Sequence, residues 1–260
     1  MKKDKWALIL GGSSGLGLAS ALKLAEHGFN ILIVHRDRKT DVPGIEQQFH
    51  RISDYGVQCR SWNQDAIQPE RRLKLIREIK DTLGQESCIH VLVHSIAKGN
   101  LKPMFSEQER TLDHQDFRLT LDAMAISLYD WTKSLVQENL FFEDSRIISF
   151  TSEGNRKAWP NYAAVSAAKA TLEAITRNIA LEFAPLGIKA NCIQAGMTDT
   201  KSFQMIPGSA QLKANALERN PSGRLTQPED VANVVYLLTR KEAAWITGTV
   251  LKVDGGEHLS

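Results

Sequence analysis

The sequence predicts an α/β fold built on one doubly wound, seven-stranded parallel sheet with helices on both faces, and three observations carry that expectation. Short apolar runs alternate with longer stretches of helical periodicity, the pattern of parallel strands joined by crossover helices. The first apolar run passes directly into a glycine-rich turn, Gly11-Gly12-Ser13-Ser14-Gly15-Leu16-Gly17, and then into helix formers. The elements use up nearly all of the 260 residues. One domain over 1–260 is therefore expected.

The first strand is read at 6–10, uniformly apolar from Trp6 to Leu10 as a strand covered on both faces should be. A helix follows at 15–27, a strand at 30–34, a helix at 43–55 and a strand at 57–62. The helix at 69–83 opens on Pro69, and its basic stretch Arg71 to Lys80 carries Leu73, Leu75, Ile76 and Ile79 as an apolar face. A strand at 89–93 leads to a long helix at 114–139, then a strand at 146–150. The helix at 161–184 is stopped by Pro185 and Gly187 and followed by a strand at 188–193. A helical stretch at 202–219 precedes a helix at 228–239, whose Glu229 and Asp230 suit the positive end of the helix dipole. The last strand is read at 249–253.

With 32 basic against 30 acidic residues and a net charge of +2, the chain has no general footprint for a polyanion, so nucleic acid is not an expected partner. Cys59, Cys88 and Cys192 have no second Cys or His at metal-ligand spacing, which favours a reducing compartment and no metal site. Lys2, Lys3 and Lys5 precede an apolar run too short for an export signal, and no run approaches the roughly 18 residues of a membrane span. A cytoplasmic enzyme or binding protein is expected.

Three glycines spaced as Gly-x-x-x-Gly-x-Gly at a strand-to-helix turn allow the backbone to approach a pyrophosphate, whose charge then sits on the helix amino end. Ser13 and Ser14 add small residues that a merely tight turn would not require. The second strand ends at Val34 and is followed by His35-Arg36-Asp37-Arg38-Lys39. In a dinucleotide fold this point faces the adenosine ribose, where an acid favours a free 2′-hydroxyl and an arginine a 2′-phosphate. Arg36 thus argues for NADPH, while Asp37 turned inward would keep NADH in play. Asp65, after the third strand, is placed to hydrogen-bond the adenine amino group.

The glycine turn joins Asp65-Ala66, Ser152, the helix carrying Tyr162 and Lys169, Asn191-x-Ile193-x-Ala195-Gly196 with Thr200, Pro221 to Ala232, and Ile246 to Gly256. In that order and spacing the chain resembles the short-chain dehydrogenase/reductase superfamily over almost its full length, which implies a single Rossmann-type domain. Three departures are similar to its enoyl-acyl-carrier-protein reductase branch. Tyr162 precedes Lys169 by seven residues, giving Tyr-x6-Lys, with Val165 at the usual tyrosine position. His94-Ser95-Ile96-Ala97 stands where most members have Asn-Asn-Ala-Gly, and Ala195-Gly196 replaces Pro-Gly.

On a helix, seven residues return the chain to about the same face, displaced about 10 Å along the axis. Tyr162 and Lys169 then face one cleft with more room between them than the four-residue spacing gives. The branch resemblance implies hydride transfer to the β-carbon of an enoyl thioester, with Tyr162 donating to the oxygen that gains charge. Lys169 is expected to bind the nicotinamide ribose and to favour anionic character at the phenol. Ser152 has two readings, assisting the same oxygen or capping the strand end. The resemblance also implies cofactor roles for Gly11, Gly15, Leu16, Gly17, Ala66, His94, Ser95, Ile96, Ile193, Gly196 and Thr200, with Ile193 and Thr200 flanking the nicotinamide. For His94, positioning rather than proton transfer is expected. Asp122, at a superfamily asparagine position, is assigned no catalysis, because an ionised carboxylate lacks the amide's donor.

The segment Ser202 to Leu217, with Phe203, Met205, Ile206 and Leu212 around Pro207-Gly208, reads either as a lid over an acyl chain, spanning about 200–225, or as an ordinary packing helix. Lys201, Lys213, Arg219 and Arg224 beside it are candidates to meet an acidic acyl carrier protein. The resemblance implies a homotetramer through the helices at 114–139 and 161–184. Two other functions stand beside enoyl reduction: a carbonyl or 3-oxoacyl reductase, and a noncatalytic NADPH-binding regulator.

Overall fold

In the computed structural model, residues 4–206 and 208–259 are described. Lys2, Lys3 and Pro207 lie outside the described residues, as does the side chain of Lys201. The strands are β1 (Lys5–Leu10), β2 (Asn30–His35), β3 (Cys59–Asn63), β4 (Cys88–His94), β5 (Phe141–Thr151), β6 (Ile188–Ala195) and β7 (Val250–Val253). The helices are α1 (Gly15–Glu26), α2 (Val42–Ser53), α3 (Pro69–Leu83), α4 (His114–Leu121), α5 (Ser127–Gln137), α6 (Ala163–Glu182), α7 (Lys201–Gln204), α8 (Ser209–Arg219) and α9 (Pro228–Thr239).

All strand pairs are parallel, in the order β3-β2-β1-β4-β5-β6-β7. The two-residue alternation of a strand sorts β1 between two cores. Trp6, Leu8 and Leu10 join Leu75, Ile79, Leu128 and Leu172 of α3, α5 and α6 on one face. Ala7 and Ile9 join Leu24, Phe49 and Val235 of α1, α2 and α9 on the other. Burying one such aliphatic side chain contributes about 1.5–3 kcal/mol, so the doubly covered centre dominates stability.

Four details differ from expectation. The helix expected at 114–139 is broken by a π-helical turn, Asp122–Ile126. The Ser127 hydroxyl that follows donates to Ala123 O at 2.8 Å, a back-bond that competes with the regular ladder. The stretch expected at 202–219 divides into α7 and α8. In α3, Leu73 is half exposed while Arg72 is buried and paired with Asp130 at 3.0 Å. Positions 72, 75, 76 and 79 follow the i, i+3, i+4, i+7 stripe and Leu73 does not. Strand β5 starts at Phe141, five residues early, because Asp144 disguises it; that carboxylate is met by Arg146 at 2.5 Å and Lys189 at 2.6 Å.

Candidate active site

The strand order reverses at β1 and β4, and a cleft of about 800 Å³ opens at their carboxyl ends. Such a switch point is where open α/β sheets bind ligands. There the turn after β1 touches the end of β4 backbone to backbone. A Cβ on Gly11 would lie 2.5 Å from Ser95 O, and one on Gly17 only 2.1 Å from Gly11 O, so both positions exclude any side chain. Gly11, Ser13, Ser14, Gly15 and Leu16 border the cleft, whereas Gly17 is buried behind them and closes the turn. The Ser14 side chain makes no cap bond. The first N–H groups of α1 have no acceptor within the helix, so they are left for an anion. This donor set fits a dinucleotide pyrophosphate.

Farther along, Arg36 and Asp65 form an ion pair, Nη1 to Oδ2, at 3.1 Å. The other Asp65 oxygen accepts from Ile67 N at 2.9 Å, and Ala66 O accepts from Trp131 Nε1 at 2.9 Å, which anchors the loop after β3. Arg36 is mostly exposed and Asp65 buried, so the guanidinium is the mobile partner. The expected pair for an adenosine is therefore assembled at one end of the cleft.

At the other end Tyr162 occupies the position just before α6 rather than its interior, and its C=O accepts from Ser166 N at 2.8 Å. Its hydroxyl lies 3.2 Å from Ser152 Oγ, and Trp159 tilts against its ring at 5.0 Å between centroids. Of the two readings of Ser152, the hydroxyl faces the phenol and makes no cap bond. Val165, at the usual tyrosine position, gives the cleft an apolar wall. Lys169 is buried one helical level deeper, and its Nζ donates to Phe150 O at 2.7 Å. Burial pulls its pKa down to about 8 against the opposing fields of Cys192 and Glu173. Lys169 does not draw the phenol toward its anionic form as expected: burial pushes the Tyr162 pKa up, partly offset by the Ser152 bond, so the phenol keeps the proton that a donor requires.

His94 is buried, and its pKa falls to about 3 through burial first and the Lys169 charge second. Ser127 Oγ donates its one hydrogen to Ala123 O, so His94 Nε2–H donates to Ser127 Oγ across 2.7 Å. A neutral, engaged imidazole suits a positioning role, and His94 borders the cleft together with Ser95 and Ile96. Ile193 does not flank the cleft as expected: it is fully buried in the core with Ile9, Val93 and Ile148, because it lies back from the carboxyl end of β6, where Gln194 and Ala195 border the cleft. Gly196 and Thr200 do border the cleft, and Thr200 Oγ1 accepts from Phe203 N at 3.2 Å, starting α7. Asp122 sits outside the cleft, 3.9 Å from Arg118.

Phe203, Met205 and Ile206 reach the cleft, and Ile206 packs with Trp159 against Tyr162 and Val165. Lys213 is paired with Asp199 at 2.5 Å, Arg219 with Glu153 at 2.6 Å and Arg224 with Asp230 at 2.6 Å, so three of the four basic residues around α7 and α8 are already engaged. Sequence reasoning missed Leu101, Met124 and Glu257 as cleft residues. They carry no motif, and only the topology brings them together. No described helix is long and apolar enough to cross a membrane.

Residues 11–258 match the family model described as enoyl-(acyl carrier protein) reductase. An uncharacterized oxidoreductase of Bacillus subtilis (strain 168), YjdA, is 28% identical over 98% of this chain and 97% of its own length. The 3-oxoacyl-[acyl-carrier-protein] reductase FabG of Staphylococcus aureus (strain Mu50) is 26% identical over the whole of both chains (100% of each). Among solved structures, the enoyl-[acyl-carrier-protein] reductase (NADH) of Aquifex aeolicus VF5 superposes with a TM-score of 0.84 at 24% identity, covering 99% of this chain and 98% of that one.

Proposed function

The chain belongs to the short-chain dehydrogenase/reductase superfamily of NAD(P)-dependent oxidoreductases, and on that premise we propose that it reduces the 2,3 double bond of an enoyl thioester with NADPH. The observation that carries this reading is the Tyr162–Lys169 spacing: the phenol enters the cleft ahead of α6, while the position four residues before Lys169 is the apolar Val165. An enoyl thioester needs its donor at an oxygen three bonds from the carbon that accepts hydride, and a phenol set farther from the lysine suits that separation.

NADPH, when bound, supplies the hydride. Its phosphates would be held by the N–H groups opening α1 with Ser13 and Ser14, its adenosine by Arg36 and Asp65, and its nicotinamide half by Ser95, Ile96, Lys169, Gly196 and Thr200. Hydride addition at the β-carbon moves charge to the thioester oxygen as an enolate. A preorganised O–H at that atom stabilises the transition state more than the ground state. Tyr162 keeps its proton and lies within reach of Ser152, so both hydroxyls serve that oxygen. Trp159, Phe203 and Ile206 give the acyl chain an apolar wall and exclude water. An acyl carrier protein as the thioester carrier, a homotetramer and a cytoplasmic setting complete the reading.

A second reading, reduction of a 3-oxoacyl thioester, is favoured by the direct Ser152–Tyr162 contact at 3.2 Å, which suits a ketone oxygen as well. Single-turnover oxidation of NADPH with a crotonyl thioester and with an acetoacetyl thioester separates the two. Turnover of the crotonyl substrate at the greater rate is the expected result. Preference for acetoacetyl would replace the proposal with the second reading, and cofactor binding without turnover of either would mark a noncatalytic binder.

A further inference from the structure

At the end of β2 the side chains of His35, Arg36 and Asp37 diverge although all three border the cleft. Arg36 reaches outward to Asp65. His35 is buried, edge-on to Phe49 of α2 at 5.3 Å between centroids. Its Nδ1 lies 2.8 Å from Asp37 Oδ2. An ionised carboxylate only accepts, so Nδ1–H donates and fixes the tautomer. The Asp37 main chain is pinned as well: its N–H donates to Asn63 Oδ1 at 2.9 Å, and Asn63 Nδ2 donates to its carbonyl at 3.1 Å. The carboxylate therefore has a fixed backbone and one anchored oxygen.

The consequence concerns which cofactor this end of the cleft accepts. A carboxylate free to turn toward the ribose would accept from its 2′-hydroxyl and repel a 2′-phosphate. We propose that His35 is a specificity-determining residue: by holding Asp37 away from the ribose, it leaves Arg36, with Arg38 beside it on the cleft, as the cations that a 2′-phosphate meets. This rests on the NADPH reading above and adds to it a residue that touches no cofactor phosphate itself. His35 acts through Asp37, so its removal must change the ratio of two affinities rather than both together.

The test needs no substrate. Dissociation constants for NADPH and NADH are measured by nicotinamide fluorescence titration for the wild type, His35→Leu, His35→Gln and the double variant His35→Leu/Asp37→Asn. The expected result is a fall of at least fivefold in the NADPH preference of His35→Leu. The double variant should recover the wild-type ratio to within about threefold. His35→Gln, which keeps an N–H donor, should fall less than His35→Leu. A smaller change in His35→Leu, equal weakening of both cofactors, or a double variant that fails to recover would overturn the assignment of His35. A wild type that binds NADH more tightly would refute the NADPH reading instead, and the direction of the His35→Leu shift would still decide the role of His35.

Discussion

The Tyr162 and Ser152 hydroxyls lie 3.2 Å apart, brought together by the turn before α6 and the end of β5. Burial holds the phenol in its protonated form, and on the proposed mechanism both hydroxyls donate to one substrate oxygen. Losing a preorganised donor of this kind raises a barrier by about 2.7–4 kcal/mol. Tyr162→Phe is therefore expected to lower kcat about a hundredfold or more, with the NADPH dissociation constant unchanged to within about threefold. Near-normal single-turnover rates would remove Tyr162 from the chemistry.

Ser152 should matter less. A neutral hydrogen bond contributes about 0.5–1.5 kcal/mol net, or roughly a two- to tenfold change in rate. Ser152→Ala is expected to fall in that range. In the Tyr162→Phe background the same change should cost less than about twofold, because the two hydroxyls act on one oxygen. Fully additive losses would show that they act on different atoms.

Lys169 is expected to give the reaction a basic limb. Its pKa of about 8 lies below the ordinary lysine value, so the ammonium present at pH 7 is lost as pH rises through about 8. If that charge holds the cofactor, kcat/KM for NADPH should fall above pH 8, since this quantity reports groups of the free enzyme. Lys169→Met should be slow at every pH and lack the limb. A limb that persists in the variant belongs to another group.

His94 contributes to stability rather than to proton transfer. Its folded pKa of about 3 lies below the ordinary histidine value of 6.5, so between these values the unfolded chain binds a proton that the native state does not. Stability from this group is full above pH 6.5 and declines as pH falls toward 3, with a slope approaching about 1.4 kcal/mol per pH unit. In urea denaturation from pH 7 to 5, wild type should lose stability more steeply than His94→Gln. Parallel curves would show that the imidazole titrates normally in the fold.

Most of the sheet was legible because its central strands β1, β2 and β4 are largely apolar runs and α6 ends at its own stop signal, Pro185 and Gly187. The exceptions have local causes. Asp144 hides the start of β5, and Leu73 looks like a core residue until the stripe through Arg72 is drawn. The glycine turn, Arg36, Asp65, Tyr162 and Lys169 were readable because their spacing reflects backbone approach and helix pitch. Ile193 was misplaced because the cleft lies at the carboxyl ends of the strands, and how far along β6 a residue must stand to reach it depends on where the chain leaves the sheet. Glu257 and Met124 could not be read at all, since chain crossings far apart in sequence bring them to the cleft.

The α7–α8 segment is tied to the cleft through Arg219, in the last turn of α8. Its Nη2 bridges Glu153 Oε1 at 2.6 Å and Glu257 Oε1 at 2.9 Å, and the second Glu257 oxygen accepts from Met197 N at 2.9 Å. Glu153 adjoins Ser152, and Met197 borders the cleft, so one guanidinium joins α8 to both walls. Burial pushes the Glu257 carboxyl up while Arg219 draws it down, which makes the cation necessary for a buried charge. Breaking a fully buried pair costs about 3–5 kcal/mol, and partial exposure of Arg219 lowers this to about 2–3 kcal/mol. Arg219→Gln should thus melt roughly 5–10 °C lower. Its KM for the acyl substrate should rise about tenfold, with the NADPH dissociation constant held to within about threefold, and Arg219→Lys should recover part of both losses. Equal weakening of substrate and cofactor would mean that the bridge supports the whole cleft rather than the α7–α8 segment.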